Sequence, residues 1–318
     1  MFGNALGWLI SALIVAACIV FLVFVGQQGQ VSPPGQVGQN AANWKIEMPV
    51  EPVTLAPFMV EATDPVALYR QAIDLFEADE FELKRANSFT ATDSAQAQRW
   101  SKMIQLIVQA ARSSRPAVFG NRLADVINYD PDQQHIESLR TIARMAIRMG
   151  LLYGTESKYA EQRQHLEAVL ALGCKLYAER LTLAEYMLGT ELLGESSLGL
   201  ANQAKRIGET AREASLKEFN DKRLESFRKQ IEPVRAAIMV VDPYPGDIFA
   251  LAENSGEAMW RVEAILALGR LKFSAERPGD TRGASAAIES LCNHGDPRIR
   301  TAARAAKDLT IEQFRKLH

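Results

Sequence analysis

No Asp, Glu, Lys or Arg occurs in residues 1–44, so every one of the 36 basic and 38 acidic residues falls in 45–318. The charges that are present nearly cancel, at −2. A dedicated nucleic-acid binder carries a basic excess, and this chain has none, so no nucleic-acid partner is expected. No polybasic cluster follows the uncharged stretch to hold anionic lipid. Cysteine is scarce, with three in 318 residues, which excludes a disulfide framework. Cys174 and Cys292 sit in apolar helical contexts and read as small core residues. Histidine is scarce too. The four, His135, His165, His294 and His318, form no HExxH and none belongs to a cysteine pair with ligand spacing. Glycine-rich phosphate loops, GxSxG and dinucleotide fingerprints are absent. No catalytic residue, cofactor or metal site is therefore assigned.

What stands in the uncharged stretch is Ala5–Val25, an unbroken apolar run. At about 1.5 Å per residue it spans about 31 Å as a helix, the thickness of a bilayer core. A cleaved signal peptide wants a positive start and a shorter apolar run. Val15–Ala16–Ala17–Cys18 resembles a lipobox, but seven more apolar residues follow Cys18 where a lipidated cysteine needs a polar tether. The expectation is one uncleaved transmembrane anchor over residues 1–25, with the bilayer as its partner. The first Lys is Lys45, so orientation rests on the α-amino group. It favours a single-pass protein of the inner or plasma membrane whose C-terminal domain is extracytoplasmic (periplasmic). Gly3, Gly7 and Ser11 recur every four residues, a stripe through which two anchors could self-associate into a homo-oligomer.

Residues 26–43 are Gln, Gly, Pro, Asn and Ser with little to bury, and read as a disordered tether. In 44–62, Pro49, Pro52 and Pro57 forbid a helix while apolar residues persist, which predicts an extended strap on the domain surface. From Thr63 the pattern is helical. Asp64–Pro65 opens a helix to about Ala78. Others are expected from about Asp93 to Ala111, Arg115–Tyr129, Asp130–Ile147, Glu156–Glu179 and Leu183–Gly194. Residues 200–240 read as one long amphipathic helix kinked at Pro233, with a seam of Leu224, Phe227, Ile231, Val234 and Ile238. Asp242–Pro243–Tyr244–Pro245–Gly246–Asp247 marks a boundary between domains 63–241 and 247–318.

Two stretches near the C-terminus align at an offset of 39 residues: Trp260–Gly269 and Ile299–Asp308. Arg261 matches Arg300, Ala264 matches Ala303, and Ala267 matches Ala306; Pro297 precedes the second copy. Lys307 departs from the pattern, standing where Leu268 stands. With Ala284–Cys292 as a preceding helix, residues 256–310 resemble a HEAT repeat, whose period is near 40. The resemblance implies paired helices packed closely through small Ala residues. Residues 64–210 look more loosely like tetratricopeptide-type hairpins, as in Tyr69–Phe76, without the full 34-residue signature. The fold class expected is all-α: the anchor, then an α-solenoid-like domain with a HEAT-like end.

Solenoids present surfaces to proteins or peptides, so the leading functional expectation is a membrane-tethered, non-enzymatic scaffold with an unknown protein or peptide partner. A second is an assembly subunit that oligomerises through its anchor. A third is an enzyme built on scattered carboxylates, for which Glu185, Glu191 and Glu195 are the stretch to inspect. His165, amid charged neighbours, reads as solvated, and His294 as an imidazole complementing the C-terminus of a helix.

Overall fold

The structure, a computed structural model, describes residues 64–85, 94–113, 134–180, 182–238, 245–273 and 278–316. All regular elements among them are α-helices. They are α1 (Pro65–Arg85), α2 (Ser94–Ala111), α3 (Gln134–Thr155), α4 (Tyr159–Glu179), α5 (Leu183–Ile207), α6 (Thr210–Ile238), α7 (Pro245–Asn254), α8 (Ala258–Leu271), α9 (Pro278–Leu291), α10 (Pro297–Asp308) and α11 (Ile311–Lys316). Among the described residues no helix is long and apolar enough to cross a membrane. The expected anchor Ala5–Val25, with Gly3, Gly7 and Ser11, the tether 26–43, the strap 44–62 and the helix Arg115–Tyr129 lie outside the described residues.

Side chains at the ends explain several boundaries. Asp64 Oδ1 accepts from Val66 N at 3.0 Å, and Pro65 takes the first helical position, where no N–H is needed. Thr182 and Glu185 form a reciprocal capping box on α5. Gly208, at φ +81°, ends that helix in the left-handed region that suits glycine. Asp296 caps α10 by accepting from Arg298 N at 2.8 Å. Several boundaries differ from expectation, α3 running past Ile147 to Thr155 and α5 past Gly194 to Ile207. α1 continues past Ala78 to Arg85 through good helix formers that lack an apolar stripe. The turn between α3 and α4 includes Ser157, at φ +60°, so α4 starts at Tyr159 and not at Glu156. The long helix expected over 200–240 is two helices parted at Gly208; α6 does continue through Pro233.

The seam expected on α6 holds at Phe227 and Ile231, which pack in the apolar core, and fails at Leu224; the side chains of Val234 and Ile238 lie outside the described residues. Leu224 is 37% exposed, whereas Leu216, Phe219, Asn220, Arg223 and Ile231 are buried. Leu216, Phe219, Arg223 and Ile231 step by three, four and eight, so the helical stripe is intact, but Arg223 occupies a place where a Leu was sought. It fits because the facing residue is Gly194: a Cβ there would come within 2.6 Å of Arg223 Nη2. The guanidinium donates to Asn220 Oδ1 and to Thr190 O at 2.9 Å. Burial pushes its pKa down from the usual arginine value.

From α1 to α5, each helix packs against the next and the next but one, giving a row of α1, α3 and α5 beside a row holding α2 and α4. α6 lies on α5. The same rule repeats from α7 to α10. Two apolar cores result. One runs from Val66 to Ile231, and the other from Ile248 to Leu309. Met259 and Trp260 of α8 belong to the first, so the C-terminal helices are stitched into it. Arg180, just past α4, clasps Glu257 through two bonds of 3.2 and 3.1 Å. Leu183 N donates to Glu263 Oε1 at 2.8 Å, so α8 also caps the start of α5.

Candidate functional site

Where α2 passes α4, with α3 beneath, a groove of about 320 Å³ opens. Ser101, Gln105, Gln109 and Arg112 of α2 recur at three- and four-residue steps and so share one wall. Gln164 and His165 of α4 form the other, and Met149 and Tyr153 of α3 line the floor. The His165 and Tyr153 rings are 5.2 Å apart and tilted at 53°, an attractive aromatic geometry. His165 Nδ1 lies 2.9 Å from Glu161 O; a carbonyl only accepts, so this nitrogen carries the proton and Nε2 is left as an acceptor. Burial lowers the imidazole pKa, which keeps it neutral at pH 7. His165 is thus partly buried in a groove wall and not solvated as expected. Of its charged neighbours, Arg163 and Glu167 pair with each other, while Glu161 lines the same groove.

The wall is braced from behind. Glu167, 2% exposed, accepts from both Arg163 and Arg212 at 2.8 Å, tying α4 to α6. Lys175 donates to Ser113 O at 2.8 Å and pins α4 to the end of α2; burial lowers its pKa. Between α2 and α4, Glu167 lines a void of about 10 Å³, room for one water.

Of the carboxylates singled out on α5, Glu191 and Glu195 meet at Arg144 and Glu185 stands apart. Glu185 belongs to the capping box. Glu191 accepts from Arg140 at 3.2 Å and Arg144 at 2.7 Å. Glu195 lies 3.9 Å from Arg144, with its pKa raised by burial. Among the described residues no group of three His, Cys, Asp or Glu could hold a metal ion. Cys292 is buried and Cys174 half-buried against the first core, and neither forms a disulfide.

The aligned residues do share a set of contacts. Ala264, Ala303 and Ala306 are fully buried and Ala267 and Ile299 nearly so, where α8 and α10 meet. Pro297 starts α10. Trp260 is buried in the first core. Arg261 Nε donates to Ala252 O, in the last turn of α7, at 3.0 Å. Arg300 Nη1 donates to His294 O, just past α9, at 2.7 Å. Each arginine thus reaches back to a carbonyl at the end of the preceding helix, where no intrahelical donor remains. His294 is placed differently from expectation. Its ring accepts from Asp296 N at 3.0 Å, at the start of α10, and Arg261 Nη2 stands 3.1 Å from its other nitrogen. A short loop brings it to the next helix's N-terminus instead of complementing the end of its own.

Compared with protein-family models, curated proteins and solved structures, the chain matches none.

Proposed function

We propose that the protein is a non-enzymatic helical scaffold, held at a membrane by Ala5–Val25, that takes an extended peptide segment of a partner in the groove between α2 and α4. The groove carries this reading. Its walls offer carboxamides, a hydroxyl and a neutral imidazole, all able to pair with a peptide main chain, and Arg112 and Glu161 add one charge of each sign. Its Tyr153 and Met149 floor suits one apolar side chain. The helix order, with α1–α2, α3–α4, α7–α8 and α9–α10 as successive hairpins, supports a solenoid-like architecture with a HEAT-like end. On this reading Trp260, Arg261, Ala264, Ala267, Pro297, Ile299, Arg300, Ala303 and Ala306 are structural. The domain lies on the extracytoplasmic side, and Gly3, Gly7 and Ser11 are a contact between anchors if the protein oligomerises.

The test is peptide selection from a random extended library by the full chain in nanodiscs, followed by affinity measurement. Selected peptides are expected to lose about tenfold affinity with Tyr153→Ala, as one aromatic contact is worth about 1.4 kcal/mol. Peptides indifferent to Tyr153→Ala and Gln109→Ala would place the binding elsewhere. No selected peptide at all would refute the reading.

A further inference from the structure

On the other row, where the C-terminal half of α5 lies beside α3, the described residues form an open cleft of about 580 Å³ lined by Leu151, Gln162, Asn202, Lys205 and Arg206. Leu198 stands one turn before Asn202 on the same side of α5. Leu151 and Leu198 are each 45% exposed, among the most exposed large apolar side chains described. No described carboxylate pairs with Lys205 or Arg206. Of the acids on the adjoining segments, Glu156 pairs with Lys158 at 2.7 Å, Glu209 with Arg212 at 3.3 Å, and Glu195 lies towards Arg144, while Glu161 lines the groove between α2 and α4. Cations in a last helical turn can merely complement the helix dipole. Here Gly208 N already serves Lys205 O and Ala204 O, and the dipole does not account for two bared leucines beside them.

We propose that this cleft docks on anionic phospholipid headgroups of the membrane that holds the chain, with Lys205 and Arg206 on phosphates and Leu151 and Leu198 at the acyl boundary. The proposal rests on the anchor reading of Ala5–Val25. Charge complementarity and the apolar flanks favour lipid: interfacial surfaces combine buried aliphatic area with attraction to anionic headgroups. The tether makes weak contact sufficient. Read as a coil, the 18 residues of the expected tether 26–43 reach about 20–25 Å, and such linkage supplies millimolar effective concentration. α1, where the tether enters, stands in the same row as α3 and α5. Lys205 and Arg206 are neighbours on α5, and the fold sets Leu151 of α3 beside them.

Lys205 itself reports contact. The full chain is reconstituted in nanodiscs of phosphatidylcholine alone, or with one-third phosphatidylglycerol, and amine acetylation is followed by mass spectrometry. Each surface cation is worth about fivefold in occupancy. Acetylation of Lys205 should slow about fivefold in anionic discs, while Lys102, exposed on α2, keeps its rate. Arg206→Glu, checked for folding by circular dichroism, should abolish the difference. An unchanged Lys205, equal slowing of Lys102, or slowing that survives Arg206→Glu overturns the proposal. So does protection by an added acidic leucine-containing peptide and not by lipid, which assigns the cleft to a protein partner. A chain that fails to co-elute with discs refutes the anchor instead. Lys205 is then read with saturating anionic vesicles, where the same fivefold slowing is expected and its absence overturns the docking.

Discussion

Gly189→Ala should destabilise the fold even though it puts the best helix former in place of a poor one. In an exposed helix the exchange gains about 1 kcal/mol. Gly189 of α5 faces Gly173 of α4 at the most extensive helix contact in the molecule. A Cβ on Gly189 would meet Tyr177 N at 2.9 Å, Gly173 O at 3.1 Å and Leu176 Cβ at 3.2 Å. Optimal contacts lie at about 3.5–4.0 Å. Two of these atoms are backbone, so no rotamer change relieves the clash and the helices must part by several tenths of an ångström. Overpacking costs about 1–3 kcal/mol, and a rigid neighbour puts the cost near the top of that range. The net loss expected is about 2 kcal/mol, or about 4–8 °C in Tm for a domain of this size. Thermal melts of Gly189→Ala, Gly208→Ala and Gly295→Ala separate the causes. Gly208 has open space but φ +81°, so its variant should lose about 1 kcal/mol through backbone strain. Gly295 has no atom within 4 Å of the new methyl, and its variant should stay within about 0.5 kcal/mol. A Tm for Gly189→Ala equal to or above the parent would refute the close-crossing argument.

Other consequences concern single groups. Burial lowers the His165 pKa, so the unfolded chain binds more protons between that lowered value and about 6.5. Stability from this group is complete above about pH 6.5 and falls as pH drops below it. His165→Gln should flatten that part of a stability–pH profile followed by urea melts. Arg300→Met leaves the His294 carbonyl without its donor and should cost about 1–2 kcal/mol. Hydrogen exchange should then quicken in α9 and α10 and not in α1–α4. Arg180→Met strips Glu257 of its two-pronged partner, with the pair 16% and 12% exposed, at about 2 kcal/mol. Calorimetry should show α7–α10 melting earlier than the rest; one unshifted transition would contradict the clasp.

The helical character of 64–316 is legible in the sequence because capping signals and apolar spacing are local. Asp64–Pro65 and Asp296–Pro297 each mark a helix start where one is found. What sequence hides is what glycine and arginine do at a distance. Gly189, Gly194 and Gly199 look like places for α5 to end. They are where α4, Arg223 of α6 and Leu166 approach it. Arg223 breaks the apolar seam of α6 on paper, yet it fills the stripe because Gly194 makes room. The groove was no more visible. Nothing in the spacing of Gln105, Gln109 and Gln164 brings them together until α2 and α4 lie side by side, and His165 among charged neighbours gives no hint of Tyr153. The matched arginines 261 and 300 were legible as a pattern but not as helix-end donors, because their partners are carbonyls, which no sequence motif displays.

α5 has no exposed residue between Leu183 and Ser197. Its sides meet α3, α4 and α6, and its first free amide is met by α8. In the order of synthesis this sets a waiting time. Leu183 and Glu263 are 80 residues apart. At about 5–20 residues per second, about 4–16 s pass before the last of these partners leaves the ribosome. For that interval the N-terminal half of α5, which has no exposed residue in the finished fold, has an open flank that a chaperone can hold.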